Sequence, residues 1–285
     1  MSARLTPHQL ADFRNDGFLV LPNFVSEFAC EALRARANEL VTAFDASGVA
    51  SIFSTREQNR LANEYFLDSA GKIHFFFEEH AFTTDGRLKQ SKEQSINKIG
   101  HALHDLDPLF DQFSRTPQLE QLAFDLGLTR PLLLQSMYIF KQPHIGGEVG
   151  CHQDSTFLFT EPPDIVGLWF ALEDATLENG CLWAIRGGHR LGLKQRWRRG
   201  PDGMYFENLN DEPWPEDRLE PLEVKQGSVI ILDGLLPHKS LRNDSAKSRH
   251  AYTLHLITAD SSYAPDNWLQ RPPDMPLRGF EPAGG

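Results

Sequence analysis

From Pro131 to about residue 259 the chain is a succession of short apolar runs separated by turn signals, and this pattern limits its fold more than any other feature. Residues 132–140, 165–172, 181–185, 228–232, 236–241 and 249–257 are each of strand length, with Glu178-Asn179-Gly180 and Gln226-Gly227 as turns. Before Thr129-Arg130-Pro131 the spacing is helical. Thr6-Pro7-His8-Gln9 has the form of a helix start, with Thr6 as N-cap, Pro7 at the first position and Gln9 closing a capping box; Gly17 ends it. Residues 18–21 read as a short buried strand. Ser26 caps a second helix carrying Ala32, Leu33, Ala37, Leu40, Val41 and Phe44, and Leu119, Leu122, Ala123 and Leu126 space a third that Gly127 closes. Helices followed by many strands predict an α+β chain with a β-sandwich or jelly-roll core. One domain is expected over 1–285, with 1–130 mainly helical scaffold, 131–259 jelly-roll core and 260–285 a covering tail.

A length of 285 residues, 40% of them hydrophobic and 24% charged, suits one large soluble core. The formal net charge of −11 argues against nucleic-acid and anionic-membrane partners, which reward a basic face. No apolar run approaches the roughly 18 residues of a membrane span, the start lacks a signal-peptide h-region, and the end is not an SKL-type address. A cytoplasmic protein is expected. Cys30, Cys151 and Cys181 are odd in number and lack a CxxC spacing, which fits packed, reduced thiols.

Between residues 52 and 94 the periodicity fails around the aromatic run Ile73-His74-Phe75-Phe76-Phe77, read as a buried strand with a hydrophobic substrate wall as the alternative. His101 and His104 are three apart. On a helix they would share a face and, with Asp107, form a rival metal site, although Ile99, Ala102, Leu103 and Leu106 read as an ordinary amphipathic surface.

The chemistry centres on His152-Gln153-Asp154. On extended backbone His152 and Asp154 point the same way and offer one imidazole and one carboxylate to a single ion. With 11 His in the chain, about one His-x-Asp is expected from composition alone, so the tripeptide needs support. A mononuclear non-haem iron site wants a second His, and His238 is the candidate. Asn243-Asp244-Ser245-Ala246 reads as a four-residue hairpin loop, which would pair Ser240 with Arg249 and His238 with Ala251. That register sets a hydroxyl and a guanidinium one step from His238, the chemistry that grips a carboxylate.

His152-Gln153-Asp154, His238-Lys239-Ser240 and Arg249, in this order, resemble the iron(II)- and 2-oxoglutarate-dependent oxygenases, and specifically the phytanoyl-CoA dioxygenase family. Further matching stretches are DGFLVL (16–21), SINKIGHALH (95–104), QSMYIFKQPH (135–144), EDATLENGCLW (173–183) and NWLQ (267–270), so the likeness spans nearly the whole chain. It implies a double-stranded β-helix, a cupin-like jelly roll, with N-terminal helices packed outside. It also implies Fe(II) held by His152, Asp154 and His238, and 2-oxoglutarate lined by Lys98, Met137, Trp169, Ser240 and Arg249. Without it, Lys98 reads as a solvated cation and Trp169 and Met137 as core. The implied activity is a dioxygenase that hydroxylates a small organic substrate with O2 as oxidant, releasing succinate and CO2. One departure is Arg186-Gly187-Gly188-His189, where the family tends to have Pro-Gly-Ser-His; losing the Pro removes a rigid φ from that turn.

The basic stretch 186–199 is the one place where the phosphates of a CoA thioester could be held, with a solvated loop as the plainer reading. Two other functions stay open: an iron- and 2-oxoglutarate-binding sensor without productive oxidation, and a jelly-roll metalloenzyme that does not use 2-oxoglutarate.

Overall fold

The computed structural model describes residues 4–47 and 64–280. Residues 52–63, part of the stretch without periodicity, lie outside it. Six helices stand among the described residues: α1 (Pro7–Asp16), α2 (Glu27–Ala43), α3 (Glu64–Leu67), α4 (Leu103–Leu106), α5 (Pro108–Ser114) and α6 (Pro117–Asp125). The strands are β1 (Phe18–Leu21), β2 (Ile73–Phe77), β3 (Ile96–His101), β4 (Pro131–Ile139), β5 (Val149–His152), β6 (Thr160–Glu161), β7 (Val166–Ala171), β8 (Leu182–Ile185), β9 (Gln195–Gly200), β10 (Gly203–Asn208), β11 (Leu219–Leu222), β12 (Val229–Asp233), β13 (His238–Ser240), β14 (Ala251–Thr258) and β15 (Ser262–Tyr263).

The helix starts follow the side-chain chemistry read from the sequence. Thr6 and Gln9 form the reciprocal capping box, Gly17 closes α1 at φ 79°, and Ser26 accepts from the Ala29 amide at the head of α2. Leu33 and Val41 of α2 are almost completely buried, each stabilising the fold by about 1.5–3 kcal/mol relative to exposure.

Two antiparallel sheets make the jelly roll. The larger has the order β1-β12-β7-β14-β4-β3-β2, the smaller β11-β8-β13-β5. Period-two alternation sorts β7 between two cores. Leu168 and Phe170 join the cluster under the helices, with Leu33, Val41, Phe110 and Leu122. Trp169 and Ala171 turn the other way and pack with Leu182, Ala184 and Leu222 of the smaller sheet. Buried on both faces, such a strand is apolar throughout, which is why residues 165–172 show no polar alternation. A third cluster, including Trp197, Met204, Leu158 and Trp268, ties the β9–β10 ribbon and the C-terminal segment to one end of the roll.

Two expectations are corrected. Residues 96–101 form β3, entirely buried between β2 and β4, rather than an amphipathic helix, so His101 and His104 sit on different elements. Ile96, Ile99, Ala102 and Leu103 fall at helical spacing, and only the neighbouring strands decide otherwise. Nor is there a hairpin joining β13 to β14: His238 pairs with His152 and Ala184 in the smaller sheet, whereas Ala251 pairs with Ile139 and Ala171 in the larger. The intervening loop crosses between sheets. Asn243 holds it there, its amide donating to the carbonyls of Lys141 and Lys247. The first 130 residues also contribute β1, β2 and β3 to the larger sheet besides their helices.

Candidate metal centre and its anion pocket

Strand β5 stops at His152, but Gln153 stays extended (φ −115°, ψ 138°) before Asp154 opens a 3-10 turn. The alternation therefore carries past the strand end and leaves His152 and Asp154 on one side. His238 is the direct cross-strand partner of His152, with ring centroids 4.3 Å apart. Asp154 Oδ1 lies 3.7 Å from His152 Nε2 and 3.7 Å from His238 Nε2, and the three ligand atoms fall within 4.8 Å of one another.

Both imidazoles are oriented from behind. His152 Nδ1–H donates to the Gly150 carbonyl at 2.8 Å and His238 Nδ1–H to the Leu236 carbonyl at 3.0 Å. Each bond leaves Nε2 as the lone-pair atom facing Asp154, which is how metal-ligating histidines are held. Gln153, fully buried, points the opposite way. Its amide donates to the carbonyls of Gly192 and Leu235, and its carbonyl accepts from the Lys194 amide, which pins the loops flanking the site. Burial pushes the Asp154 carboxyl upward, but the imidazoles of His255, His238 and His152 outweigh it and hold the group well below the usual carboxylate range. Two nitrogen donors and one anionic oxygen on one side of a shared point fit ferrous iron with positions left open.

His255 escaped the sequence reading. Its Nε2 lies 3.2 Å from Asp154 Oδ2, leaving Oδ1 toward the two histidines. The signal was present in β14 and the two residues before it: Arg249, Thr253 and His255 are an even number of residues apart and line one cavity. The register extends that face across the sheet, with Thr253 between Trp169 and Met137 and His255 between Gly167 and Gln135. Gly167 has a steric reason, since a Cβ there would come within 3.0 Å of Asp154 Oδ2.

Arg249 reaches this cavity from the larger sheet, not across a hairpin. It is 2% exposed, its Nε donates to the Gly180 carbonyl at 3.1 Å, and its guanidinium stands 5.1 Å from the Trp169 ring centre. Nη1 is buried without a hydrogen-bond partner among the described residues, as is Trp169 Nε1. Burial lowers the Arg249 pKa to about 10. Ser240 faces the same space from the smaller sheet, and its hydroxyl accepts from Lys141 Nζ at 2.9 Å. Met137 lines the cavity, and Lys98 is 3% exposed rather than solvated, its Nζ 3.8 Å from Met137 Sδ and over the rings of Phe66 and Phe76. Part of the wall is aromatic: Phe66 packs on Trp197 and Trp268, and Phe157 on Trp197.

The rival groups do not assemble. His101 bonds to Ser69 and His104 to Ser136 through Nδ1, and among the described residues His152, Asp154 and His238 are the one cluster suited to a metal. Cys151 is a half-buried free thiol with its pKa pushed up to about 11 by burial, and Cys30 and Cys181 are buried free thiols. The basic stretch is engaged internally. Arg186 pairs with Asp16 and Glu220, Arg196 and Arg198 share Asp266, Arg198 also meets Glu207, Arg199 donates to the Trp268 carbonyl and Lys194 to that of Glu212. In the departing turn, Gly188 lets Pro237 approach closely, since a Cβ there would meet Pro237 Cδ at 2.8 Å. A side chain at that position would press on the residue preceding His238.

The family described as Phytanoyl-CoA dioxygenase (PhyH) matches residues 13–251. The chain belongs to the phytanoyl-CoA dioxygenase family. Relatives include the Arabidopsis thaliana protein named phytanoyl-CoA dioxygenase, 51% identical over 272 residues and covering 95% of either chain. Phytanoyl-CoA dioxygenase domain-containing protein 1 of Bos taurus is 47% identical over 285 residues, covering 96% of this chain and 98% of that one. Among solved structures, the epimerase SnoN in complex with Fe3+, alpha ketoglutarate and nogalamycin RO superposes with a TM-score of 0.64 at 15% identity, over 98% of this chain and 95% of that one. At that identity the likeness is one of fold, and it agrees with the jelly roll expected from the strand pattern. No described helix is long and apolar enough to cross a membrane.

Proposed function

We propose that this member of the phytanoyl-CoA dioxygenase family is an iron(II)- and 2-oxoglutarate-dependent dioxygenase that hydroxylates a small, largely apolar substrate. The observation that carries the reading is the desolvated Arg249 guanidinium, with Nη1 lacking a partner, in the same cavity as the two imidazoles and one carboxylate. A buried cation with an unused donor costs stability unless a ligand anion completes it. In this assignment His152, Asp154 and His238 hold iron. Arg249 and Ser240 grip the far carboxylate of 2-oxoglutarate, and Trp169, Met137 and Lys98 wall its chain. Iron(II) with bound 2-oxoglutarate and O2 supplies an oxidant for a C–H bond, with succinate and CO2 as co-products.

The protein's own part is to orient and to exclude water. The Nδ1 bonds to Gly150 and Leu236 fix both imidazoles, His255 fixes the free oxygen of Asp154, and Phe66, Phe157, Trp197 and Trp268 form a dry wall where a substrate's apolar body packs. Arg186, Arg196 and Arg198 are committed to internal ion pairs, which leaves only Arg190, Lys194 and Arg199 of the 186–199 stretch, each already donating to a backbone carbonyl, for the phosphates of a CoA thioester, and this favours a substrate without them. The fold also serves an epimerase; Asp154 favours hydroxylation over halogenation, because halogenating members of the wider class lack that carboxylate.

Anaerobic titration of the apoprotein with iron(II) and then 2-oxoglutarate tests the reading. A weak visible charge-transfer band in wild type that disappears in His152→Ala supports it, and metal-loaded wild type without a band excludes 2-oxoglutarate.

A further inference from the structure

Lys141, to which neither the sequence motif nor the family resemblance gives a role, is 1% exposed and lines the same cavity as Arg249. Its backbone has φ 42°, a left-handed conformation that lysine rarely adopts. The surroundings enforce that conformation, because its carbonyl accepts from the Asn243 amide at 2.9 Å and from the Arg249 backbone N–H at 3.3 Å. The side chain then runs past Gly180, where a Cβ would come within 2.7 Å of Lys141 Cε. The Gly180 carbonyl also accepts from Arg249 Nε, so both cations meet at one glycine.

At its tip Nζ donates to the Gly147 carbonyl at 2.5 Å and to Ser240 Oγ at 2.9 Å. Burial and the neighbouring Arg249 lower the Lys141 pKa to about 7, and an anion arriving beside it favours the ammonium; in that form Nζ only donates, so the Ser240 oxygen accepts and its own proton is directed elsewhere. Glu78, also fully buried, accepts from the Gly147 N–H and from Asn97, and balances one of the two positive charges. Lys141 and Arg249 thus face one fully buried carboxylate, with Glu148 and Glu173 acting on them from less buried positions and Lys98 adding a third cation to the cavity, an arrangement that favours an incoming anion.

Resting on the 2-oxoglutarate reading above, we propose that Lys141 is a positioning residue for that site. It turns the Ser240 hydroxyl proton toward the ligand and adds a second positive charge beside Arg249, so that the pocket selects a keto acid bearing a distal carboxylate. A merely structural lysine would affect every keto acid alike.

The test is calorimetric binding of 2-oxoglutarate and of 2-oxovalerate, which carries a methyl group where 2-oxoglutarate has its distal carboxylate, to the anaerobic iron(II)-loaded protein. Lys141→Met is expected to weaken 2-oxoglutarate by about tenfold or more, the scale of a charge-assisted hydrogen bond, and to leave 2-oxovalerate unchanged. In a Ser240→Ala background Lys141→Met should cost less than it does in wild type, because part of its effect runs through the Ser240 hydroxyl. Should Lys141→Met not fold with Glu78 unbalanced, Lys141→Met/Glu78→Gln restores neutrality and is read the same way. Equal weakening of both keto acids, or undiminished preference for 2-oxoglutarate, overturns the role of Lys141 alone. Wild type that takes up iron but binds neither compound overturns the 2-oxoglutarate reading and this proposal with it.

Discussion

Gly167→Ala isolates the metal geometry from the fold. Gly167 sits in β7 beside His255, and its new Cβ would lie 3.0 Å from Asp154 Oδ2, 3.6 Å from Leu232 Cβ and 3.7 Å from His255 Cδ2. The last two are ordinary contacts. The first is not, and relief requires the carboxylate to retreat by a few tenths of an ångström. Metal–ligand distances tolerate only about ±0.2 Å, so iron affinity should fall about 10- to 100-fold, as for other changes in the groups that orient a ligand. Stability should move little, since alanine in a strand interior gains about 0.5–1 kcal/mol over glycine and offsets the local strain. Anaerobic calorimetry with iron(II), alongside thermal unfolding of the apoprotein, reads both quantities. Unchanged affinity in a folded variant would refute the argument that the absence of a Cβ positions Asp154, and a loss of several kcal/mol in stability would refute the claim that the strain is local.

His255→Phe removes the partner of Asp154 Oδ2 while keeping an aromatic ring, and metal titration should show affinity lowered about tenfold with the fold intact. Asp266→Asn leaves Arg196 and Arg198 without their shared carboxylate, and denaturant unfolding should show a loss of about 1–2 kcal/mol; no loss would mean those arginines are free for another partner. Burial keeps His101, His104 and His250 below the ordinary histidine range, His250 down to about 4. Their folded pKa values are depressed, so the unfolded chain binds more protons below its own value of about 6.5. Stability should therefore fall as pH drops from about 6.5 to about 4, and pH-dependent chemical denaturation with proton uptake on unfolding checks it.

How much of this was legible depended on how local the cause was. Thr6, Gln9, Gly17 and Ser26 act on backbone groups within four residues, so the helix ends followed from spacing alone. His152 and Asp154 share a side because alternation is a property of extended backbone, and it survives into Gln153 beyond the end of β5. The 96–101 strand was harder to read, because Ile96, Ile99, Ala102 and Leu103 fall at helical spacing and only β2 and β4 bury Asn97, Lys98 and His101 between them. Lys98 and Lys141 gave no sign of burial, since a lysine's default is water and only the residues closing over it say otherwise.

The chain's own order of residues thus determined most strands of the 131–259 core, the helix caps and the chemical identity of the candidate ligands, but not β3 or β9. Tertiary structure decided which strands are neighbours. His238 stands opposite His152 in one sheet while Arg249 enters the cavity from the other, because the loop held by Asn243 crosses between them. Pairing across sheets is a long-range choice made by two cores filling at once, and no window of sequence contains it. The pairing of His255 with Asp154 and the convergence of Lys141 and Arg249 on Gly180 have the same origin: side chains distant in sequence meet only after both faces of the larger sheet are buried.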